Sequence, residues 1–202
     1  MKMSKRAKYV AVLVAALIGG IVLTWAILEH EEDRHHFHTV CAGVLYRSRQ
    51  PDAENFEGLK RRNITKVVNL RHRDENVDEF DREQALCAAK GVTMINLPML
   101  SSIPADEQLE RFLQLVRDGK GATLVHCQHG RNRTGVMSAA FRVVVEGVEP
   151  QRAYDEMMSY WDRGPVPEDA RRNADRRALL GRLSRDRQDW LKRTSAAPAT
   201  QP

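Results

Sequence analysis

The sequence predicts an α/β domain with a mostly parallel central sheet flanked by helices and preceded by one transmembrane helix. Three observations support this prediction. Strand-like and helix-like segments alternate between residues 40 and 193, an apolar run without charge occupies residues 10–28, and the apolar segment at residues 122–125 leads directly into HCQHGRNRTG. Because ligands bind beyond the carboxyl ends of the strands in such a sheet, we expect the chemistry at residues 126–135.

The N-terminal part of the chain differs in composition from the rest. Residues 1–9 are basic, and the uncharged run at residues 10–28 is close to the roughly 20 residues that cross a bilayer as a helix. The run exceeds the apolar part of a usual signal peptide, so we expect an uncleaved anchor. Positive charges precede it and acidic residues follow it. The positive-inside rule therefore places the N-terminus in the cytoplasm and the following domain outside it, which is the periplasm in a bacterium.

Residues 29–39 are predicted to form a polar linker beside the membrane. Four histidines of this linker lie among acidic residues, but their spacing fits no closed tetrahedral site, so no metal is expected. The net charge of the chain is +5, and four basic residues in the first nine positions account for most of it. No basic stripe is left in the domain, so we expect no nucleic-acid partner.

The chain contains three cysteines, Cys41, Cys87 and Cys127. Three cysteines are too few for a disulfide framework, and the sequence leaves open whether Cys41 pairs with Cys87.

The first half of the domain alternates strands with helices. Residues 43–46 read as a short strand, and Pro51-Asp52 begins a helix through residue 62, because this pair is typical of a first helical turn. A buried strand is predicted at residues 64–70. The helix at residues 77–90 has apolar side chains at helical spacing, and Gly91 is placed to end it.

The second half repeats this alternation. Residues 92–97 and 122–125 read as strands, with a helix of apolar periodicity at residues 105–117 between them. An apolar helix follows from residue 134 to Gly147, and Glu149-Pro150 begins another that runs through residue 161.

The C-terminal part is rich in arginine. We expect residues 168–193 to form a basic amphipathic helix that caps the domain at residues 40–193, with binding to an anionic membrane surface as the alternative. Residues 194–202 are expected to be a disordered tail.

The segment from His126 to Gly135 combines residues that suit phosphate chemistry. A cysteine at a helix N-terminus is more acidic than a free one, and the N–H groups there also bind a tetrahedral oxyanion. We therefore expect Cys127 to be a nucleophile in such a cradle. Gly130 lets the backbone turn inward, and the planar fork of Arg133 suits two phosphoryl oxygens.

Three neighbouring residues are given supporting roles. Thr134 is expected to donate its hydroxyl to the Cys127 sulfur, His126 to tie the loop backbone in place, and Gly135 to let the helix pack closely on the strand. A structural cysteine in a β-to-α turn is the alternative, and the consistent placement of all these residues disfavours it.

These residues resemble the signature HC-x2-G-x2-R-[ST]-G of the cysteine-dependent protein-tyrosine and dual-specificity phosphatases. LYRSRQP and ITKVVNLR, at residues 45–51 and 64–71, resemble the opening of the plant-and-fungi-type atypical dual-specificity phosphatases and their bacterial relatives. The similarity covers residues 44–161. It implies the cysteine phosphatase fold and a two-step mechanism without metal or cofactor. Cys127 attacks phosphorus, Arg133 and the loop amides hold the oxygens, and water then hydrolyses the thiophosphate.

The resemblance also implies a general acid, yet the common Trp-Pro-Asp stretch is absent from the sequence. Asp106 is the candidate, because its spacing from Cys127 resembles that of the Ile-Pro-Asp stretch in the plant-and-fungi-type enzymes. Glu107 is the reserve candidate, and a helix-capping role for Asp106 is the alternative. Asp74 and Asp78 are weaker candidates.

The predicted substrate-binding residues are the loop positions and one arginine just past a strand: Gln128, His129, Gly130, Arg131, Asn132, Arg133 and Arg71. His129 and Arg131 suit a second phosphate, as in an inositol pyrophosphate. Arg47 and Gln50 belong to the second resemblance, and the sequence gives no role for them.

The leading functional hypothesis is a membrane-anchored phosphatase that acts on phosphotyrosine, phosphoserine, phosphothreonine or related phosphoesters. Its expected partners are a phosphorylated protein or an inositol polyphosphate as substrate, and the membrane through the N-terminal helix. An inositol (pyro)phosphate phosphatase with the same mechanism is one alternative. A rhodanese-like sulfurtransferase and a phosphate-binding pseudophosphatase are the others.

Overall fold

The structure, a computed structural model, describes residues 14, 16–20, 37–100, 103–160 and 170–195. Five strands form one sheet in the order β1-β2-β5-β3-β4. The strands are β1 (His38–Cys41), β2 (Leu45–Ser48), β3 (Ile64–Asn69), β4 (Thr93–Asn96) and β5 (Ala122–His126). All neighbouring pairs are parallel except β1 with β2. The predicted mostly parallel sheet is therefore confirmed.

The edge strand β1 is not predicted from the sequence and begins inside the segment read as a linker. Its four residues, HTVC, are too few for a strand pattern to be distinguished from a polar linker. A tight turn joins β1 to β2, in which Val44 N donates to the Cys41 carbonyl at 3.0 Å and Gly43 has a φ of 73°. Because β1 covers the outer edge of β2, the other edge of β2 is left to pair with β5.

Seven α-helices alternate with or follow the strands in the described residues from 37 to 195. They are α1 (Ala53–Leu59), α2 (Val77–Lys90), α3 (Asp106–Arg117), α4 (Asn132–Val144), α5 (Pro150–Ser159), α6 (Ala170–Arg185) and α7 (Arg187–Arg193), with short 3-10 turns at Lys60–Arg62 and Arg73–Glu75. The predicted C-terminal helix is divided in two at Asp186. The helix predicted from residue 134 begins two residues earlier, inside the loop that carries the signature.

The alternation of side chains along the strands creates two apolar layers. On one face of the sheet, Leu45, Val68 and Val125 pack against α3 to α7. On the other face, Tyr46, Val67 and Leu124 pack against α1 and α2. Both faces of β5 are thus buried, which is typical of a central parallel strand. The carboxyl end of β5, where His126 leads into Cys127, opens at one edge of this core.

The two C-terminal helices pack on the first layer. Leu183 of α6 and Trp190 of α7 are fully buried in the core beside α3 and α4. Several basic residues of these helices make specific contacts, such as the buried Arg176 with the Asn132 side chain and Arg187 with the Val145 carbonyl at 3.1 Å. The arginine content of this segment therefore serves its attachment to the domain in part.

The predicted membrane anchor at residues 10–28 lies mostly outside the described residues, with only positions 14 and 16–20 described, as helix. None of the described helices combines the length and the apolar character needed to cross a membrane. The basic segment at residues 1–9 and residues 196–202 of the predicted tail also lie outside the described ranges. All three cysteines are free thiols. In the described part of the chain, no cluster of His, Cys, Asp or Glu suits a metal ion.

Candidate active site

The phosphatase-like signature forms the connection between the central strand and the buried helix α4. Residues 127–131 link β5 to α4, and Cys127 is only 3% exposed at the carboxyl end of the strand. The free N–H groups of the first turn of α4 belong to the same connection, so the loop has the positive end of a helix dipole. The predicted placement of the cysteine at a helix N-terminus agrees with this geometry.

Gly130 is where the loop touches the end of β2. Its φ is 69°, and a Cβ atom there would lie 2.6 Å from the Ser48 carbonyl oxygen and 2.7 Å from the Arg49 nitrogen. Backbone atoms of a sheet strand cannot move aside by this amount, so no larger residue fits. The requirement for glycine predicted from the sequence is therefore explained by a contact between two distant segments as well as by the turn itself.

Two hydrogen bonds from the end of β2 orient the loop backbone. Arg47 donates from Nη2 to the Gly130 carbonyl at 2.6 Å, and the Gln50 backbone N–H donates to the Gln128 carbonyl at 3.2 Å. No role for Arg47 or Gln50 could be inferred from the sequence, because the loop carbonyls that accept these two hydrogen bonds lie more than 70 positions away along the chain. The only indication of a role for them in the sequence is that they belong to LYRSRQP, the stretch that resembles the atypical dual-specificity phosphatases.

His126 binds a buried carboxylate and not the loop backbone as predicted. Its Nε2 lies 2.7 Å from Oε1 of Glu83, whereas its Nδ1 has no hydrogen-bond partner. Glu83 is 1% exposed and also accepts from Asn69 Nδ2 at 2.8 Å and from Gln50 Nε2 at 2.7 Å. Burial raises the pKa of Glu83. The charge of His126 and these hydrogen bonds together outweigh burial, so the pKa of Glu83 lies below its ordinary value. A buried anion therefore anchors the residue before Cys127.

The guanidinium of Arg133 is held at the loop by Glu75. Nη2 donates to Glu75 Oε2 at 2.9 Å, and Nη1 bonds to Glu75 Oε1 and to the Leu70 carbonyl. The hydrogen bond to Glu75 and the nearby Cys127 sulfur raise the pKa of Arg133, and the same hydrogen bond lowers the pKa of Glu75 to about 2. The sequence analysis missed Glu75, which belongs to the short turn after β3.

Arg71 is buried beside the same turn, and its Nη1 is engaged by two side chains of the protein, whereas its Nε has no hydrogen-bond partner. Its Nη1 lies 2.6 Å from both Gln50 Oε1 and Glu79 Oε2, and its Nε lies 3.5 Å from Glu75 Oε2. The arrangement holds Glu75 and Gln50 in place. Arg71 thus contacts the residues that support the loop, while its predicted contact with substrate stays a prediction.

Asp106 is the first residue of α3 and forms a two-pronged ion pair with α6. Its carboxylate accepts from Arg182 at 2.9 Å and 2.7 Å. The Arg182 hydrogen bonds lower the pKa of Asp106 below its ordinary value. This shift opposes protonation, which a general acid needs. Glu107 is exposed on the next position of the helix.

The remaining predicted residues take varied positions around the loop. Thr134 is fully buried, and its Oγ1 has no hydrogen-bond partner, so the predicted bond to the Cys127 sulfur is absent. Asn132 accepts from the buried Arg176 of α6. Gln128, His129 and Arg131 line a cavity of about 640 Å³ beside the loop. Gly135 packs against α5, where a Cβ would lie 2.8 Å from Met157 Cγ, so this glycine allows close packing of two helices.

The Arg133–Glu75 pair predicts a specific pH dependence of stability. The pKa of Glu75 is about 2 in the folded protein against an ordinary value of 4.5, so its contribution is complete above pH 4.5 and is lost as the pH falls toward 2. The free energy of unfolding, measured with urea at several pH values in this range, should fall less steeply with decreasing pH in Glu75→Gln than in wild type. Arg133→Met removes the same pair and should also reduce the slope, though by less, because the His72 N–H and Arg71 still lower the pKa of Glu75. Wild-type slopes in both variants would contradict the pairing.

Comparisons with known proteins place this site in a family. A family model described as DSP-PTPase phosphatase fused to NAD+ kinase matches residues 22–173. The dual specificity protein phosphatase TpbA of Pseudomonas aeruginosa is 32% identical over 116 residues, which are 56% of this chain and 50% of TpbA. The chain thus spans about half the length of this curated relative.

Two solved structures have a similar fold. The crystal structure of P. aeruginosa TpbA has a TM-score of 0.61 and 24% identity, and the match covers 77% of this chain and 92% of that chain. The core catalytic domain of the PP-IP phosphatase SIW14 from S. cerevisiae has a TM-score of 0.57 and 19% identity over 77% of this chain and 93% of that chain. These likenesses confirm the phosphatase fold inferred from the signature. Because the family model covers most of the sequence, the chain belongs to the DSP-PTPase phosphatase family.

Proposed function

We propose that this chain hydrolyses phosphate monoesters of proteins through a cysteinyl-phosphate intermediate on Cys127. The observation that carries the proposal is the position of Cys127, in a loop between the carboxyl end of β5 and the N-terminus of α4, with Arg133 beside it. Such a loop stabilises a thiolate and binds an oxyanion with the same N–H groups. TpbA has been crystallised in complex with pTyr, in a structure 25% identical to this chain with a TM-score of 0.57, covering 72% of this chain and 86% of that one.

The proposed reaction has two steps. The Cys127 thiolate attacks phosphorus while the bond to the ester oxygen breaks, and the leaving oxygen takes a proton from a general acid. Water then attacks the phosphorus of the cysteinyl phosphate, which releases inorganic phosphate and restores the thiolate. Arg133 and the loop amides bind the phosphoryl oxygens as charge redistributes in both steps.

A metal-free assay tests this proposal. In the presence of EDTA and a reductant, wild-type protein should hydrolyse p-nitrophenyl phosphate and a phosphotyrosine peptide, and Cys127→Ser should lose activity by roughly 10³-fold or more, since no thiolate remains. Cys41→Ser is the control and should retain activity, because Cys41 lies in β1. Thiosulfate turnover without phosphate release would favour a sulfurtransferase, and phosphate binding without turnover would favour a pseudophosphatase.

Inositol pyrophosphates are a second candidate substrate class. The cavity beside the loop is lined by several basic residues in addition to its acidic ones, namely Arg49, Arg82, His129 and Arg131. Basic side chains next to a phosphate-binding loop suit a substrate with further phosphates. SIW14, which shares the fold, is a PP-IP phosphatase. Adding an inositol pyrophosphate to the substrates of the same assay distinguishes the two classes by their kcat/KM.

Asp106 is the proposed general acid, and the role requires the carboxylate to leave Arg182 during turnover. Support comes from its place at the start of α3 and from the exposure of the ion pair, since both side chains are more than a third exposed. Exposed pairs of this kind are weak and exchange readily.

We expect Asp106→Asn to lower kcat about 10²-fold for a phosphotyrosine peptide and much less for p-nitrophenyl phosphate, whose leaving group needs little protonation. Arg182→Met keeps the carboxylate and removes the partner that lowers its pKa. The pKa of Asp106 should rise in this variant, so the alkaline limb of the variant's plot of kcat against pH should move to higher pH. Equal losses on both substrates, or an unmoved limb, would exclude Asp106 as the acid.

We further propose that the chain is a single-pass membrane protein with a cytoplasmic N-terminus and an extracytoplasmic catalytic domain, which is periplasmic in a bacterium. The proposal rests on the uncharged run at residues 10–28 and the basic residues before it. A reporter fused after residue 202 should be active only in its periplasmic form. Activity of a cytoplasmic reporter alone would reverse the orientation.

A further inference from the structure

Glu83 is a buried carboxylate at which the carboxyl ends of three neighbouring strands meet. Its side chain accepts hydrogen bonds from His126, the last residue of β5, from Asn69, the last residue of β3, and from Gln50, two residues beyond β2. The donor–acceptor distances are 2.7, 2.8 and 2.7 Å, and the carboxylate is 1% exposed. The strands β2, β5 and β3 are adjacent in the sheet. One side chain of α2 therefore ties together the three strand ends from which the loop and its neighbouring turns leave the sheet.

The charge of this carboxylate fixes the orientation of two amide side chains. A carboxylate can only accept hydrogen bonds, so Gln50 and Asn69 both present their NH2 groups to Glu83 Oε2. Their oxygens are then free to accept, and both accept from Arg71. Gln50 Oε1 accepts from Arg71 Nη1 at 2.6 Å, and Asn69 Oδ1 accepts from the Arg71 backbone N–H at 2.8 Å. Through the two amides, the carboxylate therefore determines how Arg71 is held.

Arg71 in turn shares a glutamate with the arginine of the signature. Its Nε lies 3.5 Å from Glu75 Oε2, the oxygen that also accepts from Arg133 Nη2 at 2.9 Å. Glu75 Oε1 bonds Arg133 Nη1, so both terminal nitrogens of Arg133 are held by this carboxylate. Glu83, Asn69 and Arg71 are at most 3% exposed. A buried hydrogen-bonded network of this kind holds its members in one arrangement.

We propose that Glu83 is a positioning residue for the phosphatase reaction, which sets the position of Arg133 through the two amides, Arg71 and Glu75. The inference rests on the proposed function, in which Arg133 binds the phosphoryl oxygens. It gives the buried carboxylate of α2 a role in substrate binding in addition to its contact with the residue before Cys127.

The test measures how tightly the loop binds an oxyanion, and it does not require turnover. Inorganic phosphate is titrated into full-length protein by isothermal titration calorimetry, and the melting temperature of each variant is recorded in parallel. Arg133 binds phosphate well only in the correct orientation, because its planar fork makes two parallel hydrogen bonds. A displaced Arg133 therefore raises the dissociation constant for phosphate in a protein that is still folded.

Glu83→Gln keeps the size of the side chain and replaces one oxygen with an NH2 group, so the three donors can no longer all be paired. We expect the phosphate dissociation constant to rise about tenfold, as when one hydrogen bond to a charged group is lost.

Asp118→Asn is the matched control. Asp118 is also a nearly buried carboxylate, 8% exposed, but its partner Lys66 lies in the first half of β3, away from the carboxyl ends of the strands. This variant should lower the melting temperature and leave the phosphate dissociation constant unchanged.

Gln50→Met removes the side-chain link between Glu83 and Arg71 and leaves the buried carboxylate in place. It should raise the phosphate dissociation constant by a smaller factor, about threefold, because the link through Asn69 remains. Since both changes interrupt the same path, the double variant should bind phosphate about as weakly as Glu83→Gln alone. Effects that multiply in the double variant would contradict the path through Gln50.

A lower melting temperature in Glu83→Gln with a wild-type phosphate dissociation constant would show a purely structural role and would overturn the inference. Should Glu83→Gln not fold, Gln50→Met decides alone, and a wild-type dissociation constant in that variant has the same meaning. Wild-type protein that binds phosphate but does not hydrolyse p-nitrophenyl phosphate would contradict only the proposed function, because the phosphate titration still decides the role of Glu83.

Discussion

The close contact between the loop at Gly130 and the end of β2 is the constraint on which the rest of the site depends. The loop backbone lies against Ser48 and Arg49 with no room for a side chain. This contact brings Arg47 and Gln50 within hydrogen-bonding distance of loop carbonyls. It also requires β2 and β5 to be neighbours, which the sheet order provides. The chemistry of the loop is therefore built on the pairing of two parallel strands that are distant in sequence.

A row of three glutamates pairs with basic side chains around this loop. Glu75, Glu79 and Glu83 are four residues apart, in the turn before α2 and on α2 itself, and this spacing places side chains along one face of a helix. They bind Arg133, Arg71 and His126 respectively. Gln50 connects the Glu79–Arg71 pair with the Glu83–His126 pair, because its side chain accepts from Arg71 and donates to Glu83. Arg47 lies outside this network and binds the Gly130 carbonyl of the loop instead.

The local part of the site was predictable from sequence, and the long-range part was not. Cys127, Gly130 and Arg133 lie in one short segment whose residue types and spacing indicate an anion-binding turn, and most strands and helices follow from periodicity. The partners of these residues come from other elements. Arg47 is 83 positions from Gly130, and Glu75 is 58 positions from Arg133. No local pattern marks such pairs, because packing of the whole sheet decides which side chains meet. The contact expected of His126 was wrong for the same reason, because its partner Glu83 lies 43 positions away.

The central claim is that phosphate is transferred to the Cys127 sulfur inside this loop. The most direct measurement is mass spectrometry of wild-type protein quenched in acid during turnover of p-nitrophenyl phosphate. The account predicts a phosphoryl group on the peptide that contains Cys127, which disappears once the substrate is exhausted. Phosphate release with no phosphoryl group on this cysteine, or with the group on another residue, would contradict it.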